Sequence, residues 1–234
     1  MKTFLFDLDG TLLKMDLMAF IKVYYGSLVQ KYGQMVAPEL LIEALNASIK
    51  TMYANQGKLT NEEAFLNKFN EITNSHYTSS DFDDFYRNEF LAVKSAMTID
   101  DAGRQLIDIL KAKGYRLVLA TNPIFPKIAT IQRMGFIGLK EEDFDYITHY
   151  GNCHYTKPSL DYYRELLNAI NEKPENCIMV GNDLDEDMVI TELGADFVLL
   201  NDCMINKSHK EVNAIFNGTI AEFTTYAKEN LWLH

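Results

Sequence analysis

The chain has 234 residues, enough for one large domain or for a domain carrying a sizeable insertion. Hydrophobic residues make up 47% and charged residues 24%, the balance of a folded globular protein and not of a disordered one. With 33 acidic residues against 22 basic the net charge is -11, which argues against broad contact with a nucleic-acid backbone or an anionic membrane.

The first informative run is Phe4-Leu5-Phe6-Asp7-Leu8-Asp9-Gly10-Thr11. A short apolar stretch closed by carboxylates and a glycine predicts a buried strand of a parallel α/β sheet, its C-terminal end facing the ligand crevice. Asp7 and Asp9 are two residues apart and would point the same way on an extended chain. Burying both is costly without a cation. A bound Mg²⁺ would offset their repulsion and then attract an anionic phosphate. The same two acids interrupt the only apolar stretch near the N-terminus, so no secretory signal is expected there.

Residues 16–97 contain no convincing strand. Residues 16–32 read as a helix, with Gly26 a local weakness, and 38–53 as a second with Pro38 in its first turn. Thr60-Asn61-Glu62-Glu63 matches a capping box that opens a third helix, and 80–93 read as a fourth. The connections into and out of this helical block, near 12–16 and 96–100, are short, as a hinged lid requires.

Beyond the block, strands and helices alternate. Residues 100–113 form an amphipathic helix capped by Gly114. A second strand, 116–120, runs into Thr121-Asn122-Pro123, and a weaker one is expected at 146–148. Lys157-Pro158 precedes a helix at 159–170. Cys177-Ile178-Met179-Val180 is the third strand of the same type, followed by Gly181-Asn182-Asp183. A helix at 185–193 closed by Gly194 and a strand at 197–200 complete the pattern. The alternation predicts a doubly wound parallel α/β sheet. No apolar run reaches the ~18 residues of a membrane span. Cys153, Cys177 and Cys203 lack a C-x-x-C spacing and suit a reducing cytoplasm. Trp232 near the C-terminus reads either as an anchor on the core or as a partner contact.

Asp7-Leu8-Asp9-Gly10-Thr11 resembles the first motif of the haloacid dehalogenase-like (HAD) phosphohydrolase superfamily. The later motifs follow in order at strand ends. Thr121 matches the family's Ser or Thr, Lys157 its lysine, and Gly181-Asn182-Asp183-Leu184-Asp185-Glu186-Asp187 its acidic pair. The resemblance covers nearly the whole chain. It implies a HAD-like, Rossmann-type core at 1–15 and 98–234 and an all-helical cap domain at 16–97.

It also implies roles that phosphoryl-transfer chemistry supports. Asp7 is the expected nucleophile, forming an aspartyl-phosphate, and Asp9 the group that protonates the leaving oxygen and later deprotonates water. Gly10 turns the chain beside the phosphate, and Thr11 and Asn122 are expected to bind it with Thr121. Lys157 would reduce the repulsion between the Asp7 carboxylate and the phosphate. Asp7, the Asp9 carbonyl, Asp183 and Asp187 are the expected Mg²⁺ set, with Asp183 the direct or water-bridged ligand, Asp187 its support and Asn182 the alternative. In the cap, Phe20, Lys22, Tyr24 and Tyr25 are candidate substrate contacts. Asn122, Phe125 and Lys127 are candidates for the pocket floor.

The expected function is a Mg²⁺-dependent phosphatase acting on a small phosphorylated metabolite. A phosphomutase, a phosphonatase and a non-catalytic binding protein on the same fold are the alternatives. Asp9 argues against dehalogenation, because a departing halide needs no proton. Neither a nucleic-acid nor a membrane partner is expected, and the oligomeric state is open.

Overall fold

The structure, a computed structural model, describes residues 2–230; Trp232 lies outside them. Strand β1 (Thr3–Phe6) is fully buried along its length. A four-residue strand with no polar face is stable only at the centre of a sheet covered on both sides. Burying Phe4, Leu5 and Phe6 completely contributes roughly 1.5–3 kcal/mol each.

A two-residue strand β2 (Lys14–Met15) leads into four helices: α1 (Leu17–Tyr32), α2 (Pro38–Tyr53), α3 (Asn61–Thr73) and α4 (Ser80–Arg87). Asp16 caps α1 by accepting from the Ala19 N–H. The expected capping box is present on α3, where Thr60 and Glu63 satisfy each other's backbone N–H groups. The fourth helix is shorter than the sequence predicts. It ends at Arg87, Asn88 departs from helical angles, and a 3-10 stretch, Glu89–Ala96, follows.

The chain then returns through β3 (Met97–Thr98), which pairs antiparallel with β2: Lys14 opposite Thr98 and Met15 opposite Met97. The two crossovers are therefore one small ribbon, too short to leave a periodic signal in the sequence. The rest of the chain supplies α5 (Ala102–Ala112), β4 (Arg116–Leu119), α6 (Lys127–Phe136), β5 (Tyr146–Ile147), α7 (Leu160–Ala169), β6 (Cys177–Gly181), β7 (Asp196–Leu200), β8 (Phe216–Gly218) and α8 (Ile220–Asn230). The sequence reading does not include α6, β8 or α8.

Six strands form one parallel sheet in the order β5-β4-β1-β6-β7-β8. Alternate residues of β1 serve opposite faces. Phe4 and Phe6 pack with Leu106 and Leu110 of α5 and Phe223 of α8. Leu5 packs with Tyr162, Tyr163 and Leu166 of α7. A third cluster is largely aromatic and joins Phe20, Tyr24, Phe82, Phe85 and Phe90 to Ala129 and Phe125 around α6. Helix α3 is also fastened to the loops after β4 and β5. The buried Asn61 side chain donates to the Pro123 and Tyr155 carbonyls at 3.2 and 3.0 Å, and its backbone N–H donates to the Cys153 carbonyl at 2.8 Å.

Register positions the site. Phe6 pairs with Leu119 on one side and Val180 on the other, so β4, β1 and β6 end at one level. Chain order reverses across β1, and ligands of open α/β sheets bind at such a switch point. The residues that follow are Asp7, Ala120-Thr121 and Asn182-Asp183. The expected helix at 185–193 is absent. Asp183 and Asp187 bond backbone N–H groups of their own loop, which competes with helical pairing, and only a 3-10 turn, Met188–Leu193, forms.

Candidate active site

The loop after β1 is tight. The Asp7 N–H still donates to the Val180 carbonyl at 3.0 Å, and the Gly10 N–H donates to the Leu13 carbonyl at 2.7 Å. Gly10 has φ +88, and a Cβ there would stand 2.5 Å from Nδ2 of Asn182. Backbone conformation and space thus both demand glycine. Gly10→Ala is expected to destabilise the fold by more than about 1 kcal/mol, read as a lower midpoint of urea unfolding.

Asp7, Asp9, Thr121, Asn122, Asp183 and Asp187 all line one cavity of about 870 Å³. Lys157 lies beneath it with no exposed surface. Its ammonium donates to Asp7 Oδ1 at 2.9 Å and to Asp187 Oδ1 at 2.6 Å. Burial alone would lower the Lys157 pKa, but the Asp187 and Asp7 carboxylates outweigh it and hold the lysine charged, well above its usual range. Asp187 is committed inward. Its Oδ2 accepts from the Asn182 and Asp183 N–H groups at 3.2 and 3.1 Å. Burial pushes its carboxyl up, and the Lys157 ammonium opposes this.

The other predicted residues divide between the cavity and the framework. Thr11 is buried, and its hydroxyl donates to Asn182 Oδ1 at 2.8 Å, with a longer 3.4 Å contact to Asp7 Oδ2. It therefore ties the β1 and β6 loops together instead of opening onto the cavity. Asn182 is held at both ends, since its Nδ2 also donates to the Cys203 carbonyl at 2.7 Å. Asp183 accepts from the Asp185 and Glu186 N–H groups through Oδ1. Asn122 donates to Glu186 Oε2 at 3.0 Å and to the Tyr53 hydroxyl at 3.1 Å. Phe20, Tyr24, Tyr25 and Phe125 reach the cavity lining, whereas Lys22 and Lys127 are exposed and do not. A phosphonatase would need a cap lysine poised in the cavity for a Schiff base, and Lys22 does not reach it.

Three further lining residues, given no role in the sequence reading, bear on the site. Glu186 is one, and burial raises its pKa to about 7. Tyr53, at the end of α2, is the second. Arg133 of α6 is the third. It is 1% exposed, its guanidinium ion-pairs with Asp9 Oδ2, and it lies 4.7 Å from the centre of the Phe125 ring. An arginine on the buried face of a helix, flanked by Ala129, Thr130 and Met134, is the cue that could have revealed it. For Asp9, burial pushes the pKa up and Arg133 pulls against it.

The donors around the cavity are hard oxygens. Among the described residues no three His, Cys, Asp or Glu side chains form a metal-binding group. Two carboxylates, Asp7 and Asp183, with the Asp9 carbonyl nevertheless match what Mg²⁺ takes, because it keeps several waters and needs only one or two carboxylates. Among the described residues Asp7 Oδ2 has only its long Thr11 contact, and Asp9 Oδ1 is buried with no hydrogen-bond partner.

The site is a carboxylate pair at the carboxyl edge of a parallel sheet, with a buried lysine beneath and helices above. The chain matches the model of the haloacid dehalogenase-like hydrolases over residues 1–189 and belongs to that family. It is 31% identical over 129 residues to glyceraldehyde 3-phosphate phosphatase of Methanothermobacter thermautotrophicus; the match spans 54% of this chain and about half, 55%, of that protein. Among solved structures it is similar to a HAD phosphatase from Thermococcus onnurineus, with 19% identity, TM-score 0.58, and 96% and 97% of the two chains covered. It is likewise similar to the putative HAD-hydrolase YfnB from Bacillus subtilis bound to magnesium, with 18% identity, TM-score 0.56, and 98% and 99% covered. A putative beta-phosphoglucomutase from Thermotoga maritima has 18% identity and TM-score 0.57, with 99% and 100% covered. These three likenesses concern the fold.

Proposed function

We propose that the protein is a Mg²⁺-dependent phosphatase that hydrolyses a small phosphorylated metabolite through an aspartyl-phosphate on Asp7. The observation that carries this reading is the buried Lys157 bridging Asp7 and Asp187 directly beneath the cavity. A carboxylate that attacks a phosphate dianion needs a fixed positive charge at its side, and Lys157 supplies one that no solvent screens.

In this reading Asp7 attacks phosphorus, Thr121 donates to a phosphate oxygen, and Asp9 protonates the departing alcohol and later takes a proton from water. Gly10 lets the backbone approach the phosphate. Asp7, the Asp9 carbonyl and Asp183 would hold the metal, and Asp187 would support Asp183 from behind through the backbone bond to its N–H. When bound, Mg²⁺ would neutralise charge on the transferring phosphoryl group. Residues 1–15 and 98–234 would form the catalytic core and 16–97 the cap. Aromatic residues of α1 and α2 would enclose the organic half of the substrate and exclude water. The free cysteines suit a reducing cytoplasm. The name of the Methanothermobacter relative makes glyceraldehyde 3-phosphate the first metabolite to test.

The test is phosphate release from p-nitrophenyl phosphate and from a panel of phosphorylated metabolites. Release is expected with Mg²⁺, to fall to background on chelation with EDTA, and to return when excess Mg²⁺ is added. Full activity after exhaustive chelation would remove the metal from the mechanism.

A further inference from the structure

The two acids of the β1 loop are held by different cations. Lys157 bonds Asp7, and Arg133 bonds Asp9; among the described residues neither cation bonds the other's carboxylate. The arginine is itself clamped. Its Nε donates to the Ala129 carbonyl at 3.2 Å, its Nη2 contacts Thr130 Oγ1 at 3.4 Å, and the Phe125 ring lies against its guanidinium. A planar fork fixed at three points gives its partner one orientation. Nη1 donates to Asp9 Oδ2, and among the described residues the buried Oδ1 has no hydrogen-bond partner. Arg133 and Asp9 both line the cavity, so the arginine holds this carboxyl where a substrate would sit.

We propose that Arg133 is the positioning residue for leaving-group protonation, fixing the Asp9 carboxyl that transfers the proton. The inference rests on the phosphatase reading. In the first half-reaction an Asp7 oxygen bonds to phosphorus as the ester P–O bond breaks. The electron pair of that bond stays on the alcohol oxygen, which takes the proton from the Asp9 carboxyl. In the second half water bonds to phosphorus, the P–O bond to Asp7 breaks, and its electron pair restores the Asp7 carboxylate. The proton released by that water returns to the Asp9 carboxylate. Arg133 touches neither substrate nor phosphorus; it acts only by holding Asp9.

Leaving-group chemistry separates this role from a structural one. A p-nitrophenolate departs without a proton, whereas an alkoxide does not, and positioned acid catalysis contributes about 10²–10⁴-fold. In Arg133→Met, kcat/KM for glycerol phosphate is expected to fall about 100-fold or more, and for p-nitrophenyl phosphate by less than about fivefold. Arg133→Lys, which keeps the buried charge but not the fork, is expected to fall between wild type and Arg133→Met on glycerol phosphate. A smaller folded fraction would lower both substrates equally and leave their ratio unchanged, so the ratio is the readout. Equal losses on the two esters in both variants would overturn the Arg133 assignment and leave the phosphatase reading standing. No phosphate release from either ester by the wild-type protein would remove the phosphatase reading and this inference with it.

Discussion

Asp7→Asn is expected to lower phosphate-ester turnover by about 10⁴-fold or more, the scale on which removal of a covalent nucleophile acts. The amide has nearly the same shape, and its oxygen still accepts from Lys157, so the fold should survive. What it loses is the ability to form an acyl phosphate. Asp9→Asn should behave differently. It leaves Asp7 able to take the phosphoryl group from an aryl phosphate but removes the base for hydrolysis, so a phosphoenzyme should accumulate. Quenching the reaction and treating the protein with hydroxylamine reads this out: labile phosphate is expected on Asp9→Asn and none on Asp7→Asn. Robust turnover by Asp7→Asn would sink the nucleophile assignment.

The second large effect is expected on stability. Lys157 is fully buried between two carboxylates, and Asp187 is 1% exposed. Replacing Lys157 by Met leaves Asp7 and Asp187 without their shared cation. Breaking a buried ion pair from one side costs about 3–5 kcal/mol, because the remaining charge stays desolvated. Urea unfolding of Lys157→Met should show that drop, and its phosphatase activity should vanish. The double variant Lys157→Met with Asp187→Asn removes one of the stranded charges and should regain part of the stability with none of the activity. Unchanged unfolding in the single variant would mean that the ion pair is not formed in solution.

The central strands were legible because each is a short apolar run ending in polar residues, and parallel pairing buries both faces of such a run. Most of the site followed, since Asp7, Thr121 and Asp183 sit just past strand ends that share one register. The ribbon β2–β3 and strand β8 were not legible, because two or three residues carry no periodicity. Helix α6 was missed for a different reason. Its buried face includes Ala129, Thr130 and Arg133, so the apolar stripe that marks a helix is broken by the residue that reaches the site. The loop after β6 misled because acids early in a segment signal a helix N-terminus. Here those carboxylates bond their own backbone and organise Lys157. Glu186 and Tyr53 depend on a contact between α2 and two loops through Asn122, which no local pattern encodes.

Two of the attachments that join the helices to the rest of the chain differ in kind, and in the proposed reaction the difference would bear on turnover. The β2–β3 ribbon is covalently continuous with the core and would serve as a pivot for a cap that moves. The bonds from Asn61 to Pro123, Tyr155 and Cys153 would then serve as a latch, to be broken by any opening wide enough to disrupt them. Two of these carbonyls belong to segments that flank Thr121 and Lys157, which the proposed mechanism places at the phosphate. Unlatching would therefore loosen the loops beside the reacting phosphate at the moment the product leaves, and relatching would reset them before the next turnover.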